Sequence, residues 1–507
     1  MSVQAPTEAL PGRAVSLWRD GYEGSSRAPL SGEVEADAVV IGAGIIGLTT
    51  ALELRRGGAD VVVLEGRDVG AGVTGNTTAK LSSLHGLSYG SMASTHGEQV
   101  ARTYAEANEW GIGRVAELCA ELEIDCELRR KPNFTYTEDP GKRSEIEREV
   151  EAAQAAGLTA SLTSECDLPF EIEAAVRVED QAEFHPVAYL EGLARALEAD
   201  SVPVYERSRA LSVADGVVRT EGGGEVRAGR VIVATQIPFL DRGLFFARAG
   251  VARSYAISVR LTGAVPQGMY LQAESPGRSL RAHPWRGEEL LIVGGESHQL
   301  GHGDAAEKFA ALERYARERF QVAGIEHRWS AHDFMPDDGL PYVGRLTPLS
   351  DRVLTATGMR KWGLAMGTAA ARALADSVAG RATRWGETFD PWRVPPPSSL
   401  KELAVHNADS GFHFFADRLR RGSLGHLRPG EGRVFGDGLA QKAVHRDDAG
   451  ILRAVSARCT HLGCIVGWNS AERTWDCPCH GSRFGADGEV LAGPATAPLE
   501  PVEPPKE

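Results

Sequence analysis

Asp37-Ala-Val-Val-Ile-Gly42-Ala-Gly44-Ile-Ile46-Gly47, continuing as a helical pattern from Ile45 through Arg56 and then as Asp60-Val-Val-Val-Leu-Glu65, decides how the first part of this chain folds. A β-branched run feeds a glycine turn, a helix and a second apolar run. That is a β-α-β unit, and its right-handed crossover puts both strands in one parallel sheet. Gly42 permits the tight turn, Gly44 lets backbone approach a pyrophosphate, and Gly47 lets helix and strand pack closely. The helix N-terminus then faces the negative charge. Glu65, ending the second strand, is placed to accept hydrogen bonds from ribose hydroxyls. The glycine spacing alone is a weak signal; with strand, helix and acidic residue in place it reads as a dinucleotide site.

Outward from this unit, the 507 residues exceed one hydrophobic core, so two or three domains are expected. Apolar content of 42% and charged content of 24% fit a soluble globular protein. A net charge of −14 argues against nucleic acid as a partner, since phosphate binding needs clustered Lys and Arg. The run Arg418-Leu-Arg-Arg421, with Arg428 and Arg433, is short, and reads as a solvated face or a dock for an acidic electron carrier. Residues 1–35 form an N-terminal extension with no signal-peptide pattern. The longest apolar segment, Ala38 to Leu54, is broken by polar residues and by the glycines just explained. No membrane span and a cytoplasmic location are therefore expected.

Residues 98–126 and 143–157 read as amphipathic helices, and 251–300 as mostly β. A strand at Arg230–Ala234 ends in Thr235, and another at Val353–Ala356 precedes a helix from Leu364 to Val378 closed by Gly380. Pro391-Trp-Arg-Val-Pro-Pro-Pro-Ser-Ser399 marks a stiff linker. Phe412, Phe414, Phe415 and Leu419 follow on a possible short helix that would latch the two parts together. From about residue 425 the pattern is short strands and glycine-rich turns.

Further motifs accompany the dinucleotide unit in order: Thr74-Gly75-Asn76-Thr77-Thr78-Ala-Lys80, Phe184-His-Pro186, Ala234-Thr235, Asp338-Gly-Leu-Pro-Tyr-Val-Gly344, and Ala356-Thr-Gly358-Met-Arg-Lys361-Trp362-Gly363 entering the helix at Leu364. In this order, residues 37 to about 390 resemble the D-amino-acid oxidase and sarcosine oxidase family of flavoenzymes. The resemblance implies FAD and a Rossmann-type α/β domain over 36–390, interleaved with an α+β substrate domain at roughly 90–180 and 250–330. It also places Lys361 and Trp362 near the flavin, where the helix from Leu364 would favour negative charge on the ring. The bland alternative is that these two cap and pack the first helical turn. No cysteine lies near Asp333–Gly344 or Gly358, so FAD is expected to be non-covalent. A lysine that some relatives carry past the Gly358 turn is replaced by Ala365. Lys80 and His85 are the remaining candidates for holding a substrate carboxylate, and either could instead be a surface or core residue.

Three cysteines, Cys119, Cys126 and Cys166, are scattered and read as ordinary thiols. The other four crowd near the end, as Cys459-Thr-His461-Leu-Gly-Cys464 and Cys477-Pro-Cys479-His480-Gly-Ser482. Two Cys and two His match the ligand set of a [2Fe–2S] cluster of the Rieske type; a zinc site leaves two cysteines unexplained. Residues 425–507 resemble the Rieske proteins of quinol-oxidising cytochrome complexes, including Trp468-Asn469. The resemblance implies Cys459 and Cys477 on one iron, His461 and His480 on the other, and a Cys464–Cys479 disulfide clamping the loops. Ser482 matches a serine that bonds to the cluster in high-potential relatives; Phe484 stands where those relatives have tyrosine.

Two cofactors in one chain imply a dehydrogenase: an amine or amino-acid-like substrate, FAD, the cluster, then an external one-electron carrier protein or quinone. An O₂-using oxidase with an accessory Rieske domain and an electron-transfer module without turnover are the other readings.

Overall fold

A computed structural model describes residues 10–505, apart from 23, 25, 302, 400, 402, 406, 409–410, 412–413, 415–425 and 437–439. Strand β1 (Glu33–Ile41), helix α1 (Ile45–Arg56) and strand β2 (Val61–Leu64) form the expected unit. All four residues of β2 are buried, as a parallel strand covered on both faces requires. β1 pairs in parallel with β2 on one side and with Glu225–Val233 on the other. Ser350–Thr357 extends the sheet in parallel, Tyr342–Thr347 closes that edge antiparallel, and Val204–Tyr205 lies beyond β2. The chain therefore leaves β1 towards opposite sides, and the crevice at the C-terminal ends of these strands is where such sheets hold ligands.

A second sheet of nine strands is built on Ala249–Leu261, Val322–Pro336 and Glu288–Gln299, and continues through Arg278–Trp285 and Arg129–Thr137 to Ala174–Glu183 and Lys80–Leu81. Helices Glu98–Glu121 and Arg143–Ala155 end short of the expected 126 and 157. Just beyond each end the backbone turns left-handed, at Glu123 (φ 51°) and Gly157 (φ 99°), which no helix can propagate through. Helix Ala365–Val378 starts one residue after Leu364 and is followed by left-handed Gly380. Among the described residues, no helix is long and apolar enough to cross a membrane.

The C-terminal region carries a three-stranded sheet (Gly432–Phe435, Lys442–Arg446, Leu452–Ser456) and a four-stranded one (Gly467–Asn469, Thr474–Asp476, Arg483–Phe484, Val490–Ala492). Its small core gathers Val455, Trp475 and Phe484 around the four clustered cysteines, with Phe414 packed against it. The other three proposed latch residues, Phe412, Phe415 and Leu419, lie outside the described residues, as does the basic run 418–421.

The N-terminal stretch does more than extend the chain. Leu17 and Trp18 are fully buried; Trp18 Nε1 donates to the Thr77 carbonyl at 2.6 Å and Ser16 Oγ to that of Gly75 at 2.6 Å. Arg27 is buried among Glu191, Glu198 and Glu206, at 2.9, 2.7 and 3.4 Å. At the other boundary Arg393 forks onto Asp338 (2.7 and 2.8 Å), so the prolines begin from an anchored position.

Candidate functional site

A cavity of about 660 Å³ opens at the C-terminal ends of the parallel strands, within the size range of cofactor pockets. Gly42, Gly44, Ile46, Glu65, Asn76, Thr77, Thr78, Ala234, Thr235, Gly358, Gly363 and Leu364 line it. Gly47 and Gly75 sit behind the lining. A Cβ on Gly47 would stand 1.8 Å from the Gly42 carbonyl oxygen, so only glycine lets helix α1 approach its turn. Gly42 has φ +110°, and a Cβ there would meet the Ala234 carbonyl at 2.5 Å. Gly44 precedes helix α1 and has no side chain to cap it; Ile45 N–H donates to Thr74 Oγ1 at 3.3 Å, and Gly44, Ile45 and Ile46 of this first turn line the cavity. Glu65 accepts from the backbone N–H groups of Ala43 (2.8 Å) and Arg67 (2.9 Å), which fixes its carboxylate at the turn. The helix N-terminus, glycine cradle and held carboxylate fit the diphosphate and ribose of a dinucleotide.

Basic side chains crowd the same end. Arg19, Arg67 and Arg209 line the cavity, with Arg483 from the C-terminal region. Burial, and then the neighbouring guanidiniums of Arg19, Arg209 and Arg483 against the favourable Glu65, pushes the Arg67 guanidinium below its ordinary value. Such crowding fits an anionic ligand.

At the other end stand the candidate catalytic groups. Lys80 lines the cavity; its Nζ donates to the Tyr270 carbonyl and to Ser279 Oγ (2.7 Å). Burial, helped by Arg281 and opposed by Glu183, lowers its pKa to about 7. Lys361 also opens onto the cavity and donates to Ser297 Oγ at 2.5 Å. Arg360 and Lys361 both have left-handed backbone, with φ 49° and 74°, a conformation uncommon outside glycine. Burial lowers Lys361, while Asp333 opposes the shift. Burial raises Asp333 to about 6 against the pull of Lys361. Trp362 lines the cavity and stacks on His85, with ring centroids 4.2 Å apart. His85 itself does not reach the lining. Its Nδ1 pairs with the Tyr104 hydroxyl (2.7 Å) and its Nε2 with the Ser82 carbonyl (2.6 Å), and burial lowers its pKa to about 3. It is a neutral backing for Trp362, so the candidate role of holding a carboxylate is left to Lys80.

In the C-terminal region, Cys464 and Cys479 form a disulfide, and the sulfurs of Cys464, Cys477 and Cys479 lie within 4.8 Å of one another. The rings of His461 and His480 are 5.0 Å apart, and the buried His461 Nδ1 has no hydrogen-bond partner. A donor atom left unsatisfied beside thiols fits a metal centre held by Cys459, Cys477, His461 and His480. The fully buried Ser482 hydroxyl reaches Cys459 and accepts from Ala495 N–H at 3.0 Å.

This histidine edge is covered. Asp241 Oδ1 lies 2.9 Å from His461 Nε2, and the Phe246 ring packs edge-on against His461 and His480 at 5.3 and 4.9 Å. A buried charge network joins the two halves nearby. Arg253 meets Asp476 at 2.6 Å, Arg483 meets Glu472 and Asp476 at 3.0 and 3.1 Å, and Ser330 donates to Glu472 at 2.7 Å. Burial works to raise the two carboxyls, but Arg253 and Arg483 outweigh it and hold both below the usual range. His332, which lines the cavity, accepts from Arg253 Nε at 2.8 Å; burial and that arginine keep it neutral.

Sequence reasoning missed Asp333, Ser279 and Ser297, the arginine group, and Asp241 with Phe246. None stands in a recognisable motif; only the left-handed pair beside Gly358 belongs to one that does. Cys119 and Cys126 lie buried with their sulfurs 3.4 Å apart.

The FAD dependent oxidoreductase family model matches residues 37–377, and the Rieske [2Fe-2S] domain model matches 423–503. The chain belongs to the family of FAD dependent oxidoreductases and carries a Rieske [2Fe-2S] domain; it is an oxidoreductase. Among individual proteins, it is 33% identical over 495 residues to the "Putative Rieske 2Fe-2S iron-sulfur protein YhfW" of Bacillus subtilis (strain 168), covering 96% of this chain and 97% of that one. Its C-terminal part is 38% identical over 107 residues to the cytochrome b6-f complex iron-sulfur subunit of Chlorobaculum thiosulfatiphilum, across 21% of this chain and 51% of that subunit. In fold it is similar to the crystal structure of glycine oxidase from Geobacillus kaustophilus, with TM-score 0.60, 20% identity, and coverage of 71% of this chain and 99% of that one.

Proposed function

We propose that this protein is a dehydrogenase with non-covalent FAD that oxidises a small amine or amino-acid-like substrate and delivers electrons through its Rieske cluster to an external acceptor, a one-electron carrier protein or a quinone. When bound, FAD supplies two-electron oxidation of a C–H bond beside nitrogen, and the cluster supplies one-electron transfer. One observation carries the reading: residues of the Rieske domain line the flavin cavity itself. An accessory domain that served only stability would have no need to share that wall. The glycine oxidase likeness supports an amino-acid-like substrate, and among the described residues no cysteine lines the cavity.

Within this reading Lys80 and Lys361 supply the positive charge that receives a substrate carboxylate; Ser297 holds the Lys361 ammonium, and Asp333 accepts the Lys361 backbone N–H. Trp362, backed by neutral His85, is a flat wall that excludes water from the reacting carbon. Cys459, Cys477, His461 and His480 would hold the cluster, with Cys464–Cys479 closing its loops.

The test is anaerobic reduction of the full chain by a panel of amines and amino acids, read by flavin absorbance and cluster EPR. Flavin bleaching followed by a rhombic Rieske signal is expected. Bleaching with an oxidised cluster, together with fast peroxide formation in air, would favour an oxidase instead. Lys80 is protonated below about pH 7, so KM for a carboxylate-bearing substrate should rise as pH climbs through that value. In Lys80→Met this dependence should vanish and KM should already be high, about tenfold above wild type.

A further inference from the structure

The cavity wall is made by two domains, and the share contributed by each is uneven in position. From the Rieske domain come Glu472, Arg483, Leu491, Ala492, Gly493 and Thr496. One hydrogen bond fixes their side of the cavity, and the electrostatics agree with it. Arg209, which lies over Gly66 beside Glu65, donates from Nη2 to the Val490 carbonyl at 2.7 Å. Arg483 stands near enough to Arg67 to depress its guanidinium, and Arg67 donates its backbone N–H to Glu65. The Rieske segment thus faces the Glu65 end, where the ribose and diphosphate of a dinucleotide belong, while Lys80, Trp362 and Lys361 face the other end.

We propose that the Rieske domain is the outer wall of the FAD site over its adenosine-diphosphate half, so that a single cavity is complete only when the two domains are docked. This rests on the functional reading in which the cavity holds FAD. The chemistry suits that position. Arg19, Arg67, Arg209 and Arg483 all line the cavity, and a diphosphate set among them would accept from guanidinium N–H groups and relieve their mutual repulsion. Leu491 adds apolar surface beside them, partly buried and open to the cavity. Docking is held from outside the cavity by the Arg253–Asp476 pair, neither member of which lines it. Because binding free energies are reciprocal, a ligand that touches both domains must favour their docking by the same factor by which docking favours the ligand.

The experiment titrates cluster-loaded full chain, freed of flavin, with FAD and separately with FMN, following flavin fluorescence, in wild type, Leu491→Ala and Asp476→Ala. Leu491→Ala cuts back the wall directly; Asp476→Ala, itself outside the lining, loosens it by removing the partner that Arg253 and Arg483 share. Each should weaken FAD about tenfold or more while changing FMN less than about twofold, since FMN lacks the adenosine half. The Rieske EPR signal should persist, and if Asp476→Ala loses it, Leu491→Ala alone decides. FAD affinity within about twofold of wild type in a variant that keeps its cluster signal would overturn the wall. So would equal losses for FAD and FMN. Failure of wild type to take up FAD would instead overturn the functional reading, and the wall with it.

Discussion

The flavin cavity and the cluster loops do comparable work and are assembled in opposite ways. The cluster loops take every candidate ligand from residues 459–480, held by local bonds such as Cys459 N–H to the Cys464 carbonyl (2.8 Å) and Cys477 N–H to the Ser482 carbonyl (2.8 Å). The cavity is lined by residues scattered from Ala14 to Thr496, drawn from both sheets, the N-terminal stretch and the Rieske domain. A locally built site should fail all at once when one ligand goes. A site gathered from distant segments should fail by degrees, according to what each segment holds.

The largest expected effect tests the first half of that contrast. Cys459→Ser should abolish the rhombic Rieske EPR signal, because sulfur ligation at that position is not shared with another residue. A partial signal would mean that the loops are more forgiving than their compactness implies. Next comes Gly42→Val, where the left-handed backbone and the Ala234 carbonyl leave no room for a side chain. Flavin should be lost on purification while the cluster signal survives. Loss of both signals would show the two sites to be one cooperative unit.

A smaller effect is expected at the joint between them. Arg253→Met leaves Asp476 and Glu472 buried beside a single guanidinium, which should cost roughly 3–5 kcal/mol in urea unfolding. Both carboxyls titrate below their unfolded values. Their contribution is therefore complete above about pH 5 and is lost as pH falls through the folded values. Wild type should lose stability on acidification more steeply than Arg253→Met does. Parallel pH profiles would remove the network as the joint. The smallest effect is at Phe484, fully buried in the cluster core. Phe484→Tyr should raise the midpoint potential, on the order of tens of millivolts, if its hydroxyl reaches a cluster sulfur. No change on voltammetry would mean it points elsewhere.

The same contrast explains what could be read from the chain beforehand. Gly42, Gly44, Glu65 and the Cys-His pairs are legible because the chemistry dictates both residue type and close spacing. The β-α-β unit, the strands within 251–300 and the C-terminal β pattern follow from short-range periodicity in the same way, whereas strands Arg129–Thr137, Ala174–Glu183 and Val322–Pro336 of the second sheet are not anticipated from the sequence. Arg209 and Arg483 are illegible because nothing near either one in sequence announces an anion. Their meaning arises only when residues 209 and 490 come within one hydrogen bond of each other. His85 was misleading for a related reason. A histidine close to Lys80 in sequence invites a polar role, yet its ring is sealed between Tyr104, the Ser82 carbonyl and Trp362.

The N-terminal stretch carries a consequence for the order of events during folding. Arg13 bonds through its backbone to Glu326 and Arg328, and Arg27 needs Glu191, Glu198 and Glu206. The partners of Arg27 lie 164 to 179 residues further along and those of Arg13 about three hundred, and closing loops that long is favourable only once their far ends are ordered. The segment that reaches the Gly75 and Thr77 carbonyls is therefore among the last to be seated. Its arrival signals that the sheet behind it is finished.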